Sequence, residues 1–120
     1  MEGAKKAVLH GYWRSGCSWR LRIVMNYKGI LYDQKYVHLV KDGGEQHKPE
    51  YAAMNPAEMV PTLEIDGMVM TESMPICEYI EEAYPDQKPL LPKGSDAENL
   101  KKKFQIRRLC EIINSGTQPI

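Results

Sequence analysis

The run Arg14-Ser15-Gly16-Cys17-Ser18-Trp19-Arg20 gathers two hydroxyls and a thiol in a few consecutive positions. It stands where a short apolar segment gives way to a helical pattern. A strand-to-helix turn presents unpaired backbone N–H groups and the positive end of a helix dipole, so an anion placed there is stabilised. A thiolate is such an anion: a cysteine thiol, ordinarily near pKa 8.5, can fall by several units in these surroundings. Ser15 adds a hydroxyl donor and Cys17 a possible second thiol. Dithiol exchange needs Cys-x-x-Cys, so that one sulfur attacks and the other resolves. The residue three after Cys17 is Arg20, which excludes that chemistry and leaves a monothiol version open. The plainer alternative is a helix N-cap of small polar residues beside a buried cysteine.

Two further sites could serve a ligand. Val60-Pro61 precedes a strand pattern; a cis bond there would expose the N–H and C=O of Val60, whereas a trans proline would simply open an edge strand. Glu72-Ser73 stands at the start of another helical pattern. Ser73 could cap that helix or hold a carboxylate beside its dipole, and Glu72 could pair with an ammonium group. Lys101, Lys102, Lys103, Arg107 and Arg108 read as the solvated face of a last helix, because the chain is neutral overall. His10, His38 and His47 have no metal-ligand spacing with the cysteines, so no metal site is expected. The seven methionines are dispersed, as core filling would leave them.

The elements that must position these residues follow from periodicity. Ala7 to Tyr12 reads as a strand. From Cys17 to Lys28, Leu21, Val24, Met25 and the aliphatic stem of Lys28 recur at helical spacing, and Gly29 suits a left-handed C-cap. Tyr32 to Val40 reads as a second strand, and Lys41-Asp42-Gly43-Gly44-Glu45-Gln46 as a polar loop. A short helix spans Pro49 to Met54, closed by Asn55-Pro56. Thr62 to Met70 alternates around Asp66-Gly67, a tight-hairpin signature. Ser73 caps the next helix, with Pro75 in its first turn and Ile76, Tyr79, Ile80 and Ala83 on one face; Pro85 follows its end. Lys88 to Gly94 reads as a linker. Ser95 and Glu98 form a capping box, and Leu100, Phe104, Leu109 and Ile113 should face inward on a last helix ended by Asn114-Ser115-Gly116. The first crossover should be a right-handed parallel βαβ unit.

Composition narrows the class. The 120 residues carry 16 basic and 16 acidic side chains, so no strong global field draws nucleic acid. With 27% charged and 42% apolar residues the mix is that of a globular domain. No apolar run is long enough to span a bilayer, and the first six residues lack the apolar core of a signal peptide. Three widely spaced cysteines, Cys17, Cys77 and Cys110, fit a reducing compartment better than a disulfide framework.

The order strand-helix-strand, short helix, hairpin, helix matches the thioredoxin-like fold, an α/β domain with a mixed four-stranded sheet. Residues 15–20 resemble the glutathione transferase superfamily, and within it the zeta class, whose members show Ser-Ser-Cys at this turn. The Lys41–Gln46 loop, Asn55-Pro56, Val60-Pro61-Thr62-Leu63, Asp66-Gly67 and Glu78-Tyr79-Ile80-Glu81-Glu82 are similar to the same class, and the resemblance covers essentially the whole chain. It implies a glutathione-binding domain over residues 1–87, a linker over 88–95, and the first helix of an incomplete all-helical domain over 96–120. It implies glutathione as cofactor, with Ser15 stabilising the thiolate and Cys17 close enough for mixed-disulfide chemistry; Gly16, Ser18, Trp19 and Arg20 complete that turn. Gln46 should contact the glycine end of the tripeptide, Val60 before a cis Pro61 the cysteinyl backbone, and Glu72 and Ser73 the γ-glutamyl end. Gln118 should reach the cofactor from the helical segment. The implied activity is glutathione-dependent cis–trans isomerisation of maleylacetoacetate to fumarylacetoacetate in tyrosine and phenylalanine catabolism, with transferase activity. A cytoplasmic homodimer that engages neither nucleic acid nor membrane is expected. Two alternatives stand beside it, a glutathione-binding module without catalysis and a monothiol glutaredoxin-like reductase using Cys17. The chain departs from the class at Gly16, which replaces the second serine; at Glu72, where zeta members often carry Gln; and in the Lys93–Gly116 stretch, which is a few residues longer.

Overall fold

Alternation along Ala7, Leu9 and Gly11 gives strand β1 (Ala7–Gly11), whose Leu9 is 1% exposed. A computed structural model describes residues 6–117 of the chain. After β1 come α1 (Gly16–Lys28), β2 (Tyr32–Tyr36), α2 (Pro49–Met54), β3 (Thr62–Ile65), β4 (Met68–Thr71), α3 (Ser73–Ala83) and α4 (Ala97–Glu111). The sheet runs β2-β1-β3-β4, with β1 and β2 parallel and the other neighbours antiparallel. This is the mixed four-stranded thioredoxin-like sheet expected from the order of elements.

Leu9 and Leu63 are partners across β1 and β3 and face α1 and α3, where Leu21, Met25, Ile76 and Ile80 close the core. His10 and Thr62, one residue along, take the opposite face and meet Tyr51 of α2. The two layers follow from the period-two alternation of the strands against the 3.6 period of the helices. Gly29 (φ 73°) caps α1, its N–H donating to the carbonyls of Asn26 and Met25. Asp66 (φ 50°) and Gly67 (φ 77°) are both left-handed, as a type I′ hairpin requires. Tyr79 and Tyr84 donate to the Asp66 carboxylate, which pins that turn to α3.

Lys28, expected to lend only its stem, is wholly buried. Its Nζ lies 2.8 Å from Glu81 Oε1 and donates to the carbonyls of Tyr84, Gln87 and Lys88. Glu81 in turn accepts from the N–H groups of Leu90 and Leu91 at 3.0 and 2.9 Å.

Four expectations are corrected. The second strand stops at Tyr36, not Val40, because His38 and Glu45 fold the chain back: the Glu45 carboxylate accepts from His38 N–H at 2.7 Å, and His38 Nδ1 accepts from Lys41 N–H at 2.9 Å. The last helix is capped at Asp96, one residue past the expected Ser95, with Asn99 Nδ2 donating to the Asp96 carboxylate. It does not end at Asn114-Ser115-Gly116, since a wider π-helical turn carries it through Thr117. Leu100, Phe104, Leu109 and Ile113, expected inward, are 52%, 61%, 57% and 51% exposed. The half-buried positions are instead Asn99, Lys103, Ile106, Cys110 and Asn114, with Lys103 donating to the linker carbonyl of Gly94 and Ile106, Cys110 and Asn114 lining the groove against α1 and α3. The phase is set by polar ties: Arg107 Nε to Glu78 at 3.4 Å, and Arg20 to Asn114 at 2.8 Å.

Candidate functional site

Strand register decides which sequence-distant residues meet. Gly11 at the end of β1 pairs with Tyr36, so the loop carrying Gln46 leaves the sheet at that end. His10 pairs with Thr62, and Thr62 with Thr71. The Ser15 turn, the Val60-Pro61 segment before β3 and Glu72-Ser73 after β4 therefore lie along one end of the sheet. The topology converges four separate stretches of chain on one place.

Ser15 is the N-cap of α1, with extended backbone (φ −77°, ψ 117°). Its Oγ accepts from Ser18 N–H at 3.0 Å. A hydroxyl that accepts at its oxygen still has its proton to give. Gly16 and Cys17 form the first turn and are half-buried. Ser18 is turned inward and fully buried, accepting from Tyr12 N–H at 3.4 Å. A Cβ on Gly11 would meet that Ser18 side chain at 3.2 Å, so the strand end and the helix approach closely at this glycine. Trp19 is 60% exposed and shares the outer stripe of α1 with Ile23 and Tyr27.

Val60-Pro61 is cis. The approach to it is held by Tyr51, which the sequence did not single out, together with Asn55 and Thr62, to which it assigned no role in the site. Tyr51 Oη and Asn55 Nδ2 both donate to the carbonyl of Met59, and both engage Thr62 Oγ1, at 2.8 and 3.1 Å. Asn55 is 2% exposed and Thr62 fully buried. Asn-Pro after a short helix had signalled only its end. Asn55→Ala removes three hydrogen bonds, to the Met59 carbonyl, to Thr62 Oγ1 and from Ala57 N–H, and leaves the Met59 carbonyl with Tyr51 alone. It is expected to lower stability by about 1–3 kcal/mol, measurable by urea denaturation, with glutathione affinity falling alongside.

Glu72, not Ser73, is the N-cap of α3, which corrects the expected cap; its backbone sits at φ 76°, ψ 111°, rarely adopted by residues other than glycine. The Ser73 hydroxyl makes no capping bond and accepts instead from Arg20 Nη1 at 3.0 Å. Arg20, on the next turn of α1, thus sits between the two helix starts. Gln46 Nε2 donates to the carbonyl of Leu39 at 3.4 Å, and its Oε1 is the one buried side-chain polar atom without a partner among the described residues. A buried acceptor in that condition fits a ligand N–H. Gln118 lies outside the described residues.

Cys77 does not compete as a nucleophile. Burial pushes the Cys77 thiol up to about 11, against the nearby Arg20 charge, and so keeps it protonated at neutral pH. Cys110 lies with Cys77 in a groove of about 760 Å³ between α1, α3 and α4. No cluster of metal-ligating side chains occurs among the described residues, and none of their helices is long and apolar enough to cross a membrane.

Residues 9–89 match the family model described as glutathione S-transferase, N-terminal domain. The chain is 47% identical over 115 residues to maleylacetoacetate isomerase of Dictyostelium discoideum, covering 96% of this chain and 50% of that protein. Among solved structures, a bacterial maleyl pyruvate isomerase described as a zeta-class glutathione S-transferase superposes with a TM-score of 0.82 at 39% identity, over 94% of this chain and 50% of that one. Maleylacetoacetate isomerase of Methylobacterium extorquens AM1, solved with bound malonate and GSH, gives 0.81 at 36% identity, over 93% and 49%. The chain spans about half the length of the relatives it matches. With the sheet order, the cis Val60-Pro61 and a family match across 9–89, the chain belongs to the glutathione S-transferase family, carries its N-terminal domain, and resembles the zeta class.

Proposed function

We propose that this chain is the glutathione-binding part of a zeta-class enzyme that isomerises a maleyl group to a fumaryl group, with maleylacetoacetate as substrate. The observation that carries the reading is Ser15: as N-cap it accepts from Ser18 N–H at 3.0 Å and keeps its hydroxyl proton for an anion at the opening turn of α1. Glutathione, when bound, supplies a thiolate that adds reversibly to an activated double bond and so frees that bond to rotate. The chain's task is to hold that sulfur ionised at neutral pH. Ser15 donates to it, and the unpaired N–H groups of the first turn face it. One hydrogen bond to an ion is worth roughly 1.5–3 kcal/mol, and each unit of thiol pKa about 1.4 kcal/mol, so the hydroxyl and the helix end suffice together.

The remaining residues orient the tripeptide. Gln46 has an unsatisfied acceptor for its glycine end. The backbone of Val60, set by the cis bond to Pro61, pairs with the cysteinyl part. Glu72 receives the γ-glutamyl ammonium and Ser73 its carboxylate. Gly16 and Cys17 line the turn. The relatives are about twice as long as the matched stretch, and we extend the proposal to a second domain that completes the substrate pocket, a homodimer and a cytoplasmic setting.

Isothermal titration of glutathione into the 120-residue chain tests the reading. Saturable binding at a single site is expected, and binding weakened but still measurable in Ser73→Ala and unchanged in Cys17→Ala supports the ligand placement described. Absence of binding overturns it. Turnover of maleylacetone by this chain separates an enzyme from a glutathione-binding module without catalysis. A monothiol reductase instead predicts glutathione-dependent disulfide reduction that Cys17→Ala abolishes and Ser15→Ala does not.

A further inference from the structure

One nitrogen of Arg20 joins three elements. Nη1 donates to Ser73 Oγ on α3 at 3.0 Å and to Asn114 Oδ1, just past α4, at 2.8 Å. An Nη carries two protons, and each goes to one of these acceptors. The contacts Ser73–Arg20–Asn114 and Glu78–Arg107 place α4 antiparallel to α3, with Arg20, Glu72 and Asn114 along the same groove.

The chemistry of the donor fixes the chemistry of the serine. A guanidinium is always protonated and has no acceptor. Facing it, Ser73 can only accept, so its own proton must go elsewhere. Ser73 is 7% exposed, and among the described residues its hydroxyl makes the hydrogen bond it accepts from Arg20 and donates none. It opens an eleven-residue helix, next to the left-handed backbone of Glu72.

We propose that Arg20 is a positioning residue that locks the Ser73 hydroxyl as a donor and thereby selects a carboxylate at this point, with Asn114 holding the guanidinium in register. Arg20 acts through Ser73, not by touching the ligand, and the last helix takes part in recognition through Asn114. The proposal rests on the reading of Ser73 as the γ-glutamyl carboxylate contact. It explains why α4 is tied to the domain by polar side chains at the very end where the ligand lies.

The test compares glutathione with γ-aminobutyryl-cysteinylglycine, the same peptide without the γ-glutamyl carboxylate and hence without the group Ser73 is meant to read. Both are titrated into the 120-residue chain and into Arg20→Gln, Asn114→Ala, Ser73→Ala and the Arg20→Gln/Ser73→Ala double variant. Arg20→Gln should weaken glutathione about tenfold, on the order of one charge-assisted hydrogen bond, and change the analogue by less than about twofold. Asn114→Ala should act in the same direction and more weakly. Ser73→Ala should erase the preference for glutathione, and the double variant should be no worse than Ser73→Ala, because the two residues act as one unit. Equal weakening of both ligands by Arg20→Gln and Asn114→Ala, or no weakening, overturns the positioning role. If Arg20→Gln melts below the assay temperature, Asn114→Ala decides alone by the same ratio. A parent chain that binds neither ligand overturns the glutathione reading itself, a result distinct from a parent that binds glutathione and variants that keep its preference.

Discussion

Lys28→Ala is expected to lower the melting temperature of this chain by more than about 10 °C. The Lys28 side chain is fully buried, and its ammonium is shared by Glu81 at 2.8 Å and three backbone carbonyls. Removing one partner of a buried pair leaves the other charge uncompensated, which costs about 3–5 kcal/mol. A domain of this size has roughly 5–15 kcal/mol in total, and each kcal/mol moves the midpoint by roughly 4 °C or more. Thermal unfolding followed by circular dichroism measures it, and a midpoint within a few degrees of the parent would refute the assignment. Lys28→Met with Glu81→Leu should recover much of the loss, because no buried charge then remains. The same pair makes the fold sensitive to acid. Burial opposes ionisation of Glu81, yet Lys28 and the N–H groups of Leu90 and Leu91 outweigh it and hold the carboxyl below its ordinary value. A depressed carboxylate contributes stability that is complete above its unfolded pKa, about 4.3, and is lost as pH falls through the lower folded value. The parent should therefore lose stability below about pH 4 more steeply than Glu81→Gln.

Ser15→Ala should raise the pKa of the bound glutathione thiol by one to two units, on the order of one hydrogen bond to an ion. At neutral pH that reduces the thiolate and any turnover by roughly 3- to 50-fold, less than tenfold per unit because the parent thiol is already largely ionised. The activity profile should shift to higher pH, since the thiolate is the reactive form. Ultraviolet absorbance of the bound thiolate against pH measures the shift on this chain without needing catalysis. Ser15 is also a helix cap, so alanine costs about 1 kcal/mol of stability as well. Ser15→Asp separates the two roles: it keeps a capping oxygen for Ser18 N–H, yet places a negative charge beside the sulfur. That variant should fold like the parent and raise the thiol pKa at least as far. An unshifted thiol in both variants would remove Ser15 from the mechanism.

Local rules made much of this legible. Asp66-Gly67 demanded two left-handed residues and received them; Gly29 ended α1 as its missing side chain allows. The Ser15 turn could be read because its cap closes over three residues. What stayed hidden depends on partners far along the chain. Ser73 is a favoured capping residue, but a guanidinium 53 positions away took its hydroxyl. The stem of Lys28 fitted an apolar stripe, while its charge answered to Glu81, which periodicity does not reveal. The last helix carries apolar residues around much of its circumference, so hydrophobicity could not phase it, and Arg20 and Arg107 did. The cis bond at Pro61 was open on composition alone; only resemblance to a family pointed to it.

The buried Lys28–Glu81 anchor also limits where the chain can pivot. Lys28 grips the carbonyls of Gln87 and Lys88, and Glu81 grips the amides of Leu90 and Leu91, so the stretch leaving α3 is fastened until residue 91. Asp96 already begins the next helix. Any swing of the helical part is thus confined to a bearing of four residues, Pro92 to Ser95, with Gly94 at φ 104° within it and its carbonyl held by Lys103 at 2.7 Å.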